Sequence, residues 1–193
     1  MLNRSSYFIR EHVGMFKLSD TYDILDPETS EQIGLAKESP GGLILFLRFL
    51  VNKRMLPTKI HVYEGADAET TDLVFTIKRG FTLFRSRIDI IDKDGELVGW
   101  FKSKAFSLGG AFRVFDADDN EVALVKGDWK GWNFRFLVGD QEIGTVAKKW
   151  AGLGKELFTS ADNYIINISG ETSPQKSILL LAAGLAIDTI YKE

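Results

Sequence analysis

Along most of this chain apolar and polar residues alternate, and the alternation breaks at short acidic stretches. Tyr22-Asp23-Ile24-Leu25-Asp26-Pro27 runs through Glu31-Gln32 into Ile33-Gly34-Leu35. Ile88-Asp89-Ile90-Ile91-Asp92-Lys93-Asp94-Gly95 runs through Glu96 into Leu97-Val98-Gly99-Trp100. The same pattern recurs from Phe112 through Asp116-Ala117-Asp118-Asp119-Asn120 to Leu124, and from Phe134 through Gly139-Asp140 to Val146. Alternation puts one face of a strand toward a core, and Asp, Asn and Gly tolerate the positive φ of tight turns. Each unit therefore predicts a β-hairpin. Two more are predicted: Lys59–Tyr63 with Leu73–Lys78, and Leu157-Phe158 with Tyr164–Ile168. Six hairpins make about twelve strands. So many antiparallel strands leave adhesive edges unless the sheet closes, which predicts a barrel.

Two segments break the alternation. Leu43 to Leu56 is apolar at nearly every position and lies between Pro40-Gly41-Gly42 and Pro57, which predicts one short helix near 43–56. Ser173-Pro174 then opens a second, with Ser as N-cap and Pro at the first helical position. It runs through Ile178-Leu179-Leu180-Leu181-Ala182-Ala183-Gly184-Leu185-Ala186-Ile187, apolar on every side. Such a helix must be buried on every side. The expected fold is mainly β: a closed antiparallel barrel of about twelve strands around a buried C-terminal helix.

Composition narrows the function more than the fold. The chain has 193 residues and reads as a single domain, 1–193. Its 24 basic and 27 acidic residues give a net charge of −3, so net charge offers no support for nucleic-acid binding. There is no Cys, hence no disulfide and no thiolate metal site. The N-terminal stretch lacks the apolar core of a signal peptide, and the longest apolar run, Ile178–Ile187, is too short to span a bilayer. A cytoplasmic protein is expected, or one peripheral at the inner face of the membrane.

No catalytic constellation is readable. His12 and His61 are far apart, and no nucleophile elbow, phosphate loop or dinucleotide fingerprint occurs. Asp116–Glu121 fails the calcium-loop register, because Glu121 stands where the turn glycine belongs and Gly127 where the last carboxylate belongs. It reads as a solvated turn. The expectation is a non-enzyme with no cofactor and no metal. Basic residues provide the candidate chemistry. Between Glu38 and Glu64 there is no acid, while Arg48, Lys53, Arg54 and Lys59 add four positive charges beside apolar side chains. That is the composition of an interfacial helix on anionic phospholipid; a helix packed on the barrel wall is the competing expectation. Lys130, Arg135, Lys148 and Lys149 are a second candidate headgroup set, among Trp129, Trp132 and Phe136. Over 112–156, however, bases and acids cancel, which favours structural aromatics there.

Several stretches resemble the phospholipid scramblase family. They are Asp128-Trp129-Lys130-Gly131-Trp132-Asn133-Phe134, Lys148-Lys149-Trp150-Ala151-Gly152, Lys155-Glu156-Leu157-Phe158-Thr159, Ala161-Asp162-Asn163-Tyr164, and the ending Leu179-Leu180-Leu181-Ala182-Ala183 with Ile187-Asp188. The similarity is to a bacterial scramblase-related branch, akin to the LURP-one-related proteins, and covers roughly 7–193. It implies the tubby-like C-terminal fold, a twelve-stranded barrel around a hydrophobic helix. It also implies lipid binding, since tubby-like domains bind phosphoinositides through basic residues. Eukaryotic scramblases are described as calcium-dependent lipid movers, but the corresponding loop here, Ser160 to Glu171, keeps only Asp162 and Glu171 as carboxylates. Lipid binding without useful calcium binding is expected, with a protein-interaction scaffold or true scrambling as alternatives. The sequence names no protein partner.

Overall fold

The computed structural model describes residues 1–12, 19–51, 55–68, 71–81, 85–104, 111–128, 132–148, 163–170 and 173–191. Its strands are β1 (Ser6–Glu11), β2 (Thr21–Leu25), β3 (Gln32–Glu38), β4 (Thr58–Glu64), β5 (Leu73–Arg79) and β6 (Arg85–Asp92). They continue with β7 (Leu97–Lys104), β8 (Phe112–Asp116), β9 (Glu121–Asp128), β10 (Asn133–Val138), β11 (Gln141–Ala147) and β12 (Tyr164–Ile168). Two helices accompany them, α1 (Gly42–Leu47) and α2 (Pro174–Tyr191).

Each strand pairs antiparallel with its neighbours in sequence, and β1 closes the ring by pairing with both β2 and β12. The result is a closed barrel of twelve strands, so every strand edge is paired. Five of the six expected hairpins are present. The sixth is different: β12 pairs with β1 and β11, and Leu157-Phe158 lies outside the described residues. The twelfth strand is β1, whose Tyr7, Phe8 and Ile9 are all buried and therefore carry no alternation to read.

Three hairpins open with the same device. The Asp26 carboxylate accepts from the backbone N–H of Glu28 (2.8 Å) and Thr29 (3.1 Å). Asp92 accepts from Asp94 and Glu96, both at 2.9 Å. Asp116 accepts from Asp118 (3.0 Å) and Asn120 (2.9 Å). These are Asx-turns, in which the side chain replaces the backbone carbonyl and fixes the bend. In all five hairpins the register shifts by a residue next to the turn, for example between Ile90 and Ile91. The recurring glycine faces the residue just before the shift, Gly99 opposite Ile90 and Gly144 opposite Phe136. A Cβ on Gly99 would lie 2.2 Å from the Phe115 carbonyl oxygen, and one on Gly144 2.4 Å from that of Asn167. Neither position has room for a side chain.

Helix α2 fills the barrel. Ser173 Oγ accepts from the Lys176 N–H at 3.3 Å, the expected N-cap. Every residue from Ser177 to Ile187 is buried, which encloses the helix on all sides. Around it lie inward side chains of the strands, among them Phe75, Phe101, Phe112, Phe134 and Phe136. At Gly184 the helix meets Ile166, whose Cδ1 would stand 2.3 Å from any Cβ there.

The first helix is shorter than expected. It covers Gly42–Leu47, and turns continue to Val51, whose N–H donates to the Leu47 carbonyl. Gly41 precedes it, Gly42 is its first residue, and no residue of it is buried. A helix of 6 residues with no buried side chain has little to stabilise it in water.

Candidate functional site

An up-and-down barrel has two ends, and here they differ in chemistry. The turn end carries the hairpin turns 26–31, 65–72, 93–96, 117–120 and 139–140. Their sequences hold eleven acids and one base, Lys93. The loop end carries the connections 12–20, 39–57, 80–84, 105–111, 129–132 and 148–163. Those sequences hold eight bases and three acids.

Apolar exposure follows the same division. Among the described residues eight large apolar side chains are exposed, and six belong to the loop end. Leu43 (71%), Phe46 (61%), Phe49 (76%), Leu50 (69%) and Met55 lie in the β3–β4 connection, and Phe81 (68%) in the β5–β6 connection. Helix α1 exposes Leu43 and Phe46, while its Ile44, Leu45 and Leu47 are half-buried.

Two arginines, half-buried Arg48 and buried Arg79, hold this connection to the rim. Arg48 pairs with Glu38, the last residue of β3; their side chains are 9% and 0% exposed. The other Glu38 oxygen accepts from the Asp20 N–H at 3.1 Å, tying in the neighbouring loop. Arg79, at the end of β5, donates to the Leu56 carbonyl (3.2 Å) and to Thr58 Oγ1 (3.1 Å). Arg48, expected at a lipid headgroup, is therefore turned inward as a clamp.

The remaining sequence candidates separate. Lys53, Arg54, Lys130 and Lys149 lie outside the described residues. Lys148 caps the rim aromatics, its Nζ 4.3 Å from the Trp132 ring centre, while Trp132 packs on Phe134 and Tyr164. Lys59 and Arg135 stand on the outer wall, the former on β4 and the latter on β10. Of the calcium loop Ser160–Glu171, residues 163–170 are described, and both of its carboxylates, Asp162 and Glu171, lie outside the described residues. The Asp116–Glu121 stretch is the hairpin turn that was expected, and Asp116 is held below the ordinary carboxylate range by the donors of Asn120 and Asp118.

What the sequence reading missed is the company of Lys59 and Arg135. Each strand from β3 to β10 carries one exposed basic residue at the second or third position from the loop end. They are Lys37, Lys59, Lys78, Arg87, Lys102, Arg113, Lys126 and Arg135. At about 3.3 Å per residue they lie within about 7 Å of the strand ends. Several face one another directly across the sheet: Lys59 and Lys78, Arg87 and Lys102, Lys102 and Arg113, Lys126 and Arg135. Arg87 reaches Asp89 (2.6 Å) and lies 4.4 Å over the Trp100 ring, and Arg113 reaches Glu121 at 3.4 Å. The five lysines of this collar have no carboxylate partner among the described residues. Half-buried His61 faces Lys37 across the strands; burial first, then Lys59, holds its pKa down. Of the remaining strands, β2, β11 and β12 have no basic residue, and β1 has Arg10 second from its loop end, paired with Asp23 of β2 at 2.7 Å.

Among the described residues no helix is long and apolar enough to cross a membrane. No group of potential ligands there could hold a metal ion. No curated protein and no solved structure matches the chain. The family model described as Scramblase matches residues 14–193, nearly the whole length, and the chain belongs to that family.

Proposed function

We propose that this protein is a non-catalytic domain that binds anionic phospholipid and docks peripherally on a membrane surface through its loop end. The observation that carries the reading is the exposure of Leu43, Phe46, Phe49, Leu50, Met55 and Phe81 on the one end that is also rich in basic residues. Apolar side chains gathered in water mark an interaction surface. Basic charge beside them selects an anionic interface, and family membership supports a lipid. Anionic lipid is concentrated in the cytoplasmic leaflet, which favours that face. The strands argue against a barrel that itself spans the bilayer, because they run 5 to 8 residues and a spanning strand needs about 9–11. Inside, α2 and the core side chains occupy the space a polar headgroup would need to pass.

Co-sedimentation with phosphatidylcholine vesicles, with and without phosphatidylserine, tests the reading. Wild type should pellet with the anionic vesicles, and Phe46→Ser/Phe49→Ser should lose at least tenfold in affinity while staying folded. Failure to pellet with either vesicle would leave a protein-interaction scaffold in its place. Scrambling of labelled lipid by the purified protein in sealed vesicles, above an empty-vesicle control, would replace docking with translocation.

A further inference from the structure

We infer that the domain docks end-on, with the barrel axis close to the membrane normal and the basic collar at the level of the lipid phosphates. This rests on the lipid-binding reading above and adds its geometry. Directly opposed like charges destabilise a sheet, yet four such pairs occur along one band. Folding gives no return for that arrangement; an anionic ligand would. The ligand must also reach opposite sides of the barrel. Strands β4 and β10 are six steps apart in the twelve-strand ring, so Lys59 and Arg135 stand on opposite sides of the barrel. A flat surface meeting one wall can touch only one of them. A flat surface meeting the loop end can engage both, because the collar lies just behind the rim. The exposed apolar tips of the β3–β4 and β5–β6 connections then enter the interface ahead of the collar. The eleven turn acids are carried to the far end, where repulsion by the membrane is weakest.

Two double neutralisations on opposite walls test this: Lys59→Gln/Lys78→Gln and Lys126→Gln/Arg135→Gln. Each removes a like-charge pair, so both should fold at least as well as wild type. Vesicles of phosphatidylcholine with 30% phosphatidylserine serve as probe, at about 0.1 M and about 1 M salt. Each neutralised charge should cost up to about fivefold, so both variants should lose roughly tenfold or more at low salt, and by similar factors. Lys93→Gln at the turn end should lose nothing. The chain has no Cys, so single-cysteine labels need no background removal. An environment-sensitive fluorophore at Phe49→Cys should shift to the blue on vesicles, and one at Asp94→Cys or Asp118→Cys should not. Loss in one double variant alone means side-on docking, and loss in neither means an idle collar; both overturn end-on docking and leave lipid binding standing. A turn-end label that enters the bilayer overturns it as well. A wild type that ignores anionic vesicles but binds a single-stranded oligonucleotide through the collar overturns both readings.

Discussion

The two ends of the barrel are built by the same strands and treat their side chains in opposite ways. At the turn end, polarity is spent on the fold. Asp26, Asp92 and Asp116 each take two backbone donors, Arg4 pairs with Asp26, and the N-terminal ammonium pairs with Glu64. At the loop end, polarity and apolar area are left over. Phe46, Phe49 and Leu50 stand in water, and lysine faces lysine across β4 and β5. Residues whose bonding is completed within the chain are explained by folding. Residues whose bonding is not completed point to something outside it. The rule for this molecule is that turn-end changes should cost stability and spare binding, while loop-end changes should cost binding and spare stability.

The largest expected effect is the one exception to that rule. Glu38 and Arg48 lie at the loop end but their side chains are largely buried, so Glu38→Gln leaves a guanidinium without its counter-charge. Breaking a buried pair from one side costs about 3–5 kcal/mol. Urea unfolding should show that loss, and Glu38→Gln/Arg48→Met should recover much of it because the orphaned charge is gone. A cost below about 1 kcal/mol would mean that the clamp is wet in solution. Next comes Gly99→Val at the turn end, where the added atoms meet the Phe115 carbonyl and Leu179 of α2. Overpacking of this kind costs about 1–3 kcal/mol, and more where backbone must move. The variant's denaturation midpoint should fall, while its folded fraction should pellet with anionic vesicles as wild type does.

Much of this architecture was legible because short-range patterns encode it. Alternation, Asx-turn residues and the all-round apolar run at Ile178–Ile187 gave five hairpins, the closed barrel and the enclosed helix. The recurring Gly34, Gly99 and Gly144 were visible as a repeat, but the reason for Gly99 and Gly144, backbone too close for a Cβ, appears only when strands are paired. The collar was invisible for a related cause. Its members sit on eight strands and are scattered between positions 37 and 135, and over 112–156 they cancel against turn acids in any linear count. The barrel sends those acids to one end and the bases to the other, so a sum near zero hid a separation of charge. Arg48 misled for the opposite reason: nothing local in the sequence says that Glu38, ten residues earlier, turns inward to meet it.

The smallest effect sharpens the comparison through pH. Backbone donors of Glu28 and Thr29 hold the Asp26 carboxyl below its ordinary value, and the donors of Asn120 and Asp118 do the same for Asp116. In the unfolded chain both return to about 3.8. Between the folded and unfolded values the unfolded chain binds more protons, so stability rises with pH there. The contribution of these turns is complete above the unfolded value and is lost as pH drops through the folded one. Acid should therefore loosen the turn end. Asp26→Asn/Asp116→Asn should be less stable than wild type at pH 7, and the two urea midpoints should converge toward about pH 2. Vesicle binding by the variant at pH 7 should match wild type, because neither side chain lies at the loop end. Parallel midpoints across the acid range would show that the turn aspartates do not carry the acid sensitivity of the fold.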